Sequence, residues 1–186
     1  VILCFHIPQD LNNLFHTLLD GLVRQDLVLT YQTIQKRVEE VIEVLGNMET
    51  EYHALSPDGQ REYYYRVRDA FNEVGARTDA GVMSMPGVVR AAQFLFMNKT
   101  CFNGLFRMNA SGGWNTPYGH LKNPTICDGP LLHAVSKQLQ KATLRRGPYG
   151  ACTVDAQRDD FAYFDPPYVP KSATSSFTAY TADGFG

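Results

Sequence analysis

Long apolar runs are missing from this sequence. None approaches the ~18 residues needed to cross a bilayer, so no helical membrane span is expected, and no secretory leader is recognisable. Cysteine is sparse: Cys4, Cys101, Cys127 and Cys152 form no C-x-x-C pair and have no His at zinc spacing. That excludes a disulfide scaffold and a structural zinc site and points to free, mostly buried thiols. Internal repeats and low-complexity tracts are absent too. With 44% hydrophobic and 19% charged residues, neither a disordered nor a fibrous chain fits. The expectation is one ordinary domain, or a core plus an insertion, in the cytoplasm and without a metal. One further absence is local: no acidic residue lies between Asp79 and Asp128.

The net charge of −2 conceals that gap. Residues 1–32 sum to −2, residues 33–79 to −4, residues 80–154 to +7 and residues 155–186 to −3. Arg90, Lys99, Arg107 and Lys122 occupy the acid-free stretch, with three Asn and three aromatics between positions 102 and 115. Positive charge segregated beside amides and aromatic rings is the footprint of a polyanion-binding face. The bland alternative is an uneven but ordinary surface.

Periodicity predicts the elements. Val1–Phe5 is an apolar run suited to a buried parallel strand. Leu11, Leu14, Phe15, Leu18 and Leu22, then Ile34, Val38, Val41, Ile42 and Leu45, have helical spacing. They predict two helices over Asp10–Leu45, broken near Gln25-Asp26 and stopped by Gly46. Ser56-Pro57 is an N-cap and first position for a helix running through Asn72. Met85-Pro86 opens another, Gly87–Met97. Asn98–Pro124, rich in Asn, Gly, Pro and aromatics, reads as a hairpin or ordered loop. A helix over Pro130–Gln140, a strand over Ala142–Arg145, a short helical stretch over Gly150–Gln157 and a central strand over Phe161–Phe164 follow. Strands separated by helices indicate an α/β sheet, with the middle block inserted. The Tyr63-Tyr64-Tyr65 run reads as packing rather than a stacking platform, and His120 and His133 as structural or exposed. Phe102 and Trp114 carry two readings, insertion core or function.

Asp165-Pro166-Pro167-Tyr168 follows the last strand directly, where ligands bind in open parallel sheets. The two prolines stiffen the backbone and remove two N–H donors, leaving carbonyls that only accept. The Asp165 carboxylate and the Pro166 carbonyl beside an aromatic face suit an exocyclic nucleobase amine. Accepting its two N–H bonds favours a pyramidal nitrogen whose lone pair can attack an electrophilic methyl. Tyr168 can stack on the base, and aromatic electron density favours a sulfonium donor. The bland reading is a strand-ending turn; the preceding apolar strand and the following Ser/Thr-rich loop favour function.

With that motif the sequence resembles the Dam-type DNA adenine-N6 methyltransferases (the D12 class). The resemblance rests on Tyr163–Pro170 with Phe177–Thr181, on Asn98–Asn109 followed by Gly112–Gly119, which look like the family's target-recognition hairpin, and on Arg66–Asn72 and Asn123-Pro124. It implies methyl transfer from S-adenosylmethionine to adenine N6 in double-stranded DNA, within GATC, after the base is flipped from the duplex. The implied fold is an α/β, Rossmann-like S-adenosylmethionine-dependent methyltransferase sheet, incomplete here, with an inserted helical and β-hairpin target-recognition domain. Residues 1–49 would be the first part of the catalytic domain, 50–129 the insertion and 130–186 the second catalytic part. By matching position, Phe102 or Asn103 would wedge into the stack, Arg107 would read a guanine edge, and Leu105 and Pro117 would meet a thymine methyl. Lys99, Asn109 and Ser172 would contact phosphates. Asp165, Pro166, Pro167 and Tyr168 are the implied catalytic group, and Asp165, His6 and Tyr149 the implied cofactor contacts.

The family's glycine-rich cofactor loop is expected upstream of Val1. His6 stands where the family carries an acid for the ribose hydroxyls, and Pro148 where an Asp often precedes the aromatic Tyr149. Both chain ends read as cut from a longer, prokaryotic or phage-encoded, monomeric protein. Two other functions stay open at this point: a non-catalytic DNA-binding remnant, and a methyltransferase for RNA or a protein amide.

Overall fold

The computed structural model describes residues 15–19, 25–73, 85–109, 112–146, 154, 157 and 158. The predicted strands at Val1–Phe5 and Phe161–Phe164, and nearly all of the predicted helical stretch Gly150–Gln157, lie outside these residues. The chain divides into two compact units, residues 1–24 with 141–186, and residues 25–140.

In the first unit, β1 (Phe15–Leu19) pairs in parallel with β2 (Ala142–Arg146), in register from Phe15 opposite Ala142 to Leu19 opposite Arg146. β2 matches the predicted strand. β1 corrects the first of the two predicted helices. The spacing of Leu11, Leu14, Phe15 and Leu18 fits a helix, but an apolar run this short is equally compatible with a parallel strand. The partner that settles it lies more than a hundred residues away, beyond the reach of local pattern. Parallel strands need a crossover between them, and here the connecting chain is the entire second unit.

That unit is helical. α1 (Gln25–His53) carries the buried stripe Ile34, Val41, Leu45 and Tyr52. Gly46 does not stop it, contrary to expectation. The stripe continues through Met48 and Tyr52, which belong to or pack on the core, and burial outweighs the ~1 kcal/mol that a mid-helix glycine costs. Non-helical dihedrals at Arg37 (φ −143°, ψ 42°) kink the helix. Thr30 and Thr33 are buried, each with its hydroxyl donating to the carbonyl four residues earlier at 2.7 Å.

α2 (Pro57–Glu73) begins as predicted, with the Gly59 N–H donating to Ser56 Oγ at 3.3 Å. Its buried residues, Tyr63, Tyr64, Val67 and Phe71, form one helical stripe, so Tyr63 and Tyr64 are packing residues. α3 (Met85–Thr100) packs chiefly on α1, and its small Ala91 and Ala92 are fully buried. α4 (Gly129–Leu139) is capped by Asp128, which accepts the Leu131 N–H at 3.0 Å, and also lies on α1. Ile34, Leu45 and Leu132 share one core with Phe96 and Trp114, so α1 and α4 belong to the same core as α3 and the segment that carries Trp114.

Arg90 corrects the charge reading. It is buried on α3, paired with Asp26 of α1 (Nη2 to Oδ2, 3.0 Å), donates from Nη1 to the Phe71 carbonyl at 2.8 Å, and lies 3.8 Å above the Phe71 ring. Its charge is matched inside the fold and is no part of a surface. Cys101 is buried and Cys127 half-buried, both as free thiols. Burial pushes both thiols up, and the Glu49 and Asp128 charges add to the effect at Cys127.

Candidate nucleic-acid interface

After Thr100 the chain leaves α3 through Cys101 into a single 3-10 turn, Phe102–Gly104. Asn103 (φ 53°) and Gly104 (φ 62°) are both left-handed, a conformation that Gly and Asn accept more readily than other residues. The Asn98 side-chain amide closes the turn by donating to the Gly104 carbonyl at 2.8 Å. Two antiparallel bridges, Cys101 with Tyr118 and Met108 with Trp114, make residues 101–118 a hairpin. Its base is tied by Phe102 N–H to the Pro117 carbonyl and Gly119 N–H to the Thr100 carbonyl, both at 2.9 Å.

Gly119 is required by space. A Cβ there would lie 2.3 Å from the Cys101 carbonyl oxygen and 2.6 Å from its carbon, so any side chain forces main chain apart. Gly119→Ala is expected to lower stability by about 1–3 kcal/mol, as overpacking does, read as a shifted denaturation midpoint of the full-length protein.

The hairpin alternates as a strand pair should. Trp114, Thr116 and Tyr118 are buried, and Phe106 and Met108 pack against the core. Leu105, Arg107, Asn109, Asn115 and Pro117 are exposed. Trp114 sits in an aromatic nest, with ring centroids 5.5 Å from Phe94, 5.3 Å from Phe106 and 6.3 Å from Phe71. Of its two readings, core is correct. Phe102 is the opposite case, half exposed at 50% beside Leu105 at 46%.

Side chains from α1 and α2 hold the inner face. The Tyr52 and Tyr118 hydroxyls hydrogen-bond at 2.7 Å. Tyr64 donates its hydroxyl to the Thr116 carbonyl at 2.7 Å and accepts from the Trp114 indole N–H at 3.1 Å. Burial pushes the Tyr52 and Tyr64 phenols well up, which favours the neutral hydroxyls that these hydrogen bonds use.

Four of the residues predicted to meet DNA (Leu105, Arg107, Asn109 and Pro117) thus share the outward side of one hairpin. Lys99 is exposed in the last turn of α3, and Phe102 and Asn103 form the turn at the hairpin's base. Arg107 Nη2 donates to the Asn115 carbonyl at 3.0 Å, which steadies a guanidinium with five donors in all. The Asn109 side-chain oxygen accepts the Gly113 N–H at 2.8 Å. Lys122 is also exposed, and no acidic residue lies in the hairpin. Cations, amides and half-exposed apolar groups arranged this way can bind phosphates, base edges and a base face. His6, Tyr149, Asp165, Pro166, Pro167, Tyr168 and Ser172 lie outside the described residues.

Sequence reasoning missed Gly119 as a spatial requirement and Asn72 as an anchor. Asn72 carries only the weak signal of sitting at the end of the Arg66–Asn72 stretch. Among the described residues, no group of three or more His, Cys, Asp or Glu could hold a metal ion, and no helix is long and apolar enough to cross a membrane.

The family described as D12 class N6 adenine-specific DNA methyltransferase matches residues 23–186. A type II methyltransferase of Methanocaldococcus jannaschii is 40% identical over 163 residues, 88% of this chain and 54% of that protein. A type II methyltransferase of Lactococcus lactis subsp. cremoris is 36% identical over 162 residues, 86% of this chain and 52% of the relative. A DNA adenine methylase of Vibrio cholerae is 32% identical over 175 residues, 94% of this chain and 57% of the relative. The chain spans about half the length of these relatives.

Proposed function

The chain belongs to the D12 class N6 adenine-specific DNA methyltransferases, and from that premise we propose that the protein containing it transfers a methyl group from S-adenosylmethionine to adenine N6 in duplex DNA, within GATC. The observation that carries the reading is the hairpin, whose outer side collects Leu105, Arg107, Asn109 and Pro117 without an acid among them. The 50–129 block serves as the target-recognition part. The flanking segments belong to a Rossmann-like sheet, of which β1 and β2 are two parallel strands. The protein works in the cytoplasm, in keeping with bacterial and archaeal relatives, and as a monomer.

Phe102, half exposed at the hairpin's base, has the apolar surface to fill the gap left by a flipped adenine, which costs a few kcal/mol to unstack. Lys99, Asn109 and Ser172 hold phosphates. Asp165 and the Pro166 carbonyl accept the two amine hydrogens, Tyr168 stacks on the base, and Pro167 shapes the turn. S-adenosylmethionine would supply a methyl on sulfonium sulfur, and Asp165, His6 and Tyr149 are the residues that would hold it. Asp165 would take up the proton that the adenine nitrogen loses on methylation.

The test is incubation of the full-length protein with labelled donor and duplex DNA, RNA or protein. Label in the adenine of GATC duplexes is expected. Label only in RNA or protein, or no donor binding, overturns the reading. Arg107→Ala is expected to relax discrimination at one guanine by about 1–3 kcal/mol, with modest loss of nonspecific affinity. Uniform weakening with a smaller salt slope would instead identify a phosphate contact.

A further inference from the structure

The hairpin strand that carries Asn115 and Pro117 outward has an open main-chain edge at Trp114. The bridge to Met108 is made by its neighbours, Asn109 N–H to the Gly113 carbonyl at 2.8 Å and Asn115 N–H to the Arg107 carbonyl at 2.9 Å. Trp114's own N–H and C=O therefore point away from the partner strand. Asn72, in the last turn of α2, takes both. Its Oδ1 accepts the Trp114 N–H at 2.7 Å and its Nδ2 donates to the Trp114 carbonyl at 3.2 Å. One amide side chain so makes the two bonds that a residue of a third strand would make. Gly113 lies against it, since a Cβ at Gly113 would be 3.4 Å from Asn72 Cγ.

The next residue, Asn115, accepts the Arg107 guanidinium on its carbonyl and gives its N–H to the Arg107 carbonyl. Asn72 is thus one peptide removed from both groups that fix Arg107. A bidentate base contact depends on where the guanidinium sits, whereas a phosphate contact tolerates displacement. We infer that Asn72 is a positioning residue for base discrimination. It meets no DNA itself but sets the register of the strand that aims Arg107. This rests on the recognition reading above.

The test uses the full-length protein and, as cognate, whichever duplex the wild type selects from a library. Asn72→Ala removes both bonds. Asn72→Asp keeps an acceptor for the N–H but sets a carboxylate oxygen against the Trp114 carbonyl. Both variants are expected to lose about tenfold or more in the ratio of cognate to single-substituted duplex affinity, on the scale of one or two net hydrogen bonds. Affinity for unrelated duplexes at fixed salt should stay within about twofold. If Asn72→Ala fails to fold, Asn72→Asp decides. Wild-type discrimination in the folded variants overturns the inference, and so does equal weakening on all duplexes, which makes Asn72 merely structural. A wild type with no duplex preference overturns the recognition reading, and this inference with it; a preference that survives in both variants overturns the inference alone.

Discussion

Replacing Arg90 by Met is expected to lower stability by about 3–5 kcal/mol, the cost of leaving a buried carboxylate without its partner. The Asp26 side chain is 3% exposed and that of Arg90 8%, so neither charge can turn to water without opening the junction of α1, α2 and α3. The guanidinium also satisfies the Phe71 carbonyl near the end of α2 and covers the Phe71 ring, so its loss reaches three helices. The measurement is the urea midpoint of the full-length protein. The double variant Asp26→Leu/Arg90→Met should recover much of the loss, because an apolar pair of similar volume has no charge to desolvate. A single variant within about 0.5 kcal/mol of wild type, the range of an ordinary surface change, would mean that the pair contributes little. The same variant separates interior from exterior charge: its DNA affinity should fall with salt as steeply as the wild type's, since Arg90 releases no counterion on binding.

That distinction marks where the sequence was legible. Arg90 counts as one more cation in an acid-free stretch until Asp26, sixty-four positions earlier, is brought onto it. Local signals performed well where the determinants are local. Ser56-Pro57 begins α2, Met85-Pro86 begins α3, and Pro130 stands in the first turn of α4, because capping and the fixed proline φ act within one turn. They failed where a distant partner decides. β1 needs β2, and α1 runs past Gly46 because Tyr52 has Tyr118 to meet. In the hairpin, composition indicated a hairpin or ordered loop and the resemblance supplied the outward set, whereas the alternation around Trp114, Thr116 and Tyr118 emerges only from the fold. The anchors behind it were not, since Asn72, Tyr64 and Tyr52 belong to helices whose own pattern gives no hint of a strand to hold.

Asp165→Ala is expected to reduce methyl transfer by at least about 10²–10³-fold, the scale on which a single positioned polar group acts in a transition state, while duplex binding stays near wild type. The reason lies in the nucleophile. An adenine amine has its lone pair spread into the ring, so it attacks only when its nitrogen is drawn toward a pyramidal shape. On the proposed reading two acceptors on its hydrogens would do this, and the Asp165 carboxylate is the one a substitution can remove, because the Pro166 carbonyl is main chain. In that role the carboxylate would also take up the charge that appears on nitrogen as the carbon–nitrogen bond forms, so its contribution would grow toward the transition state and kcat should fall more than KM rises. Asp165→Asn should fall similarly, since its amide keeps one acceptor but turns a donor toward the amine. DNA affinity, which on the proposed reading comes from the hairpin rather than from this turn, gives the control. Turnover near wild type in Asp165→Ala removes the carboxylate from the chemistry, whereas parallel loss of turnover and binding would place Asp165 among the groups that hold the duplex.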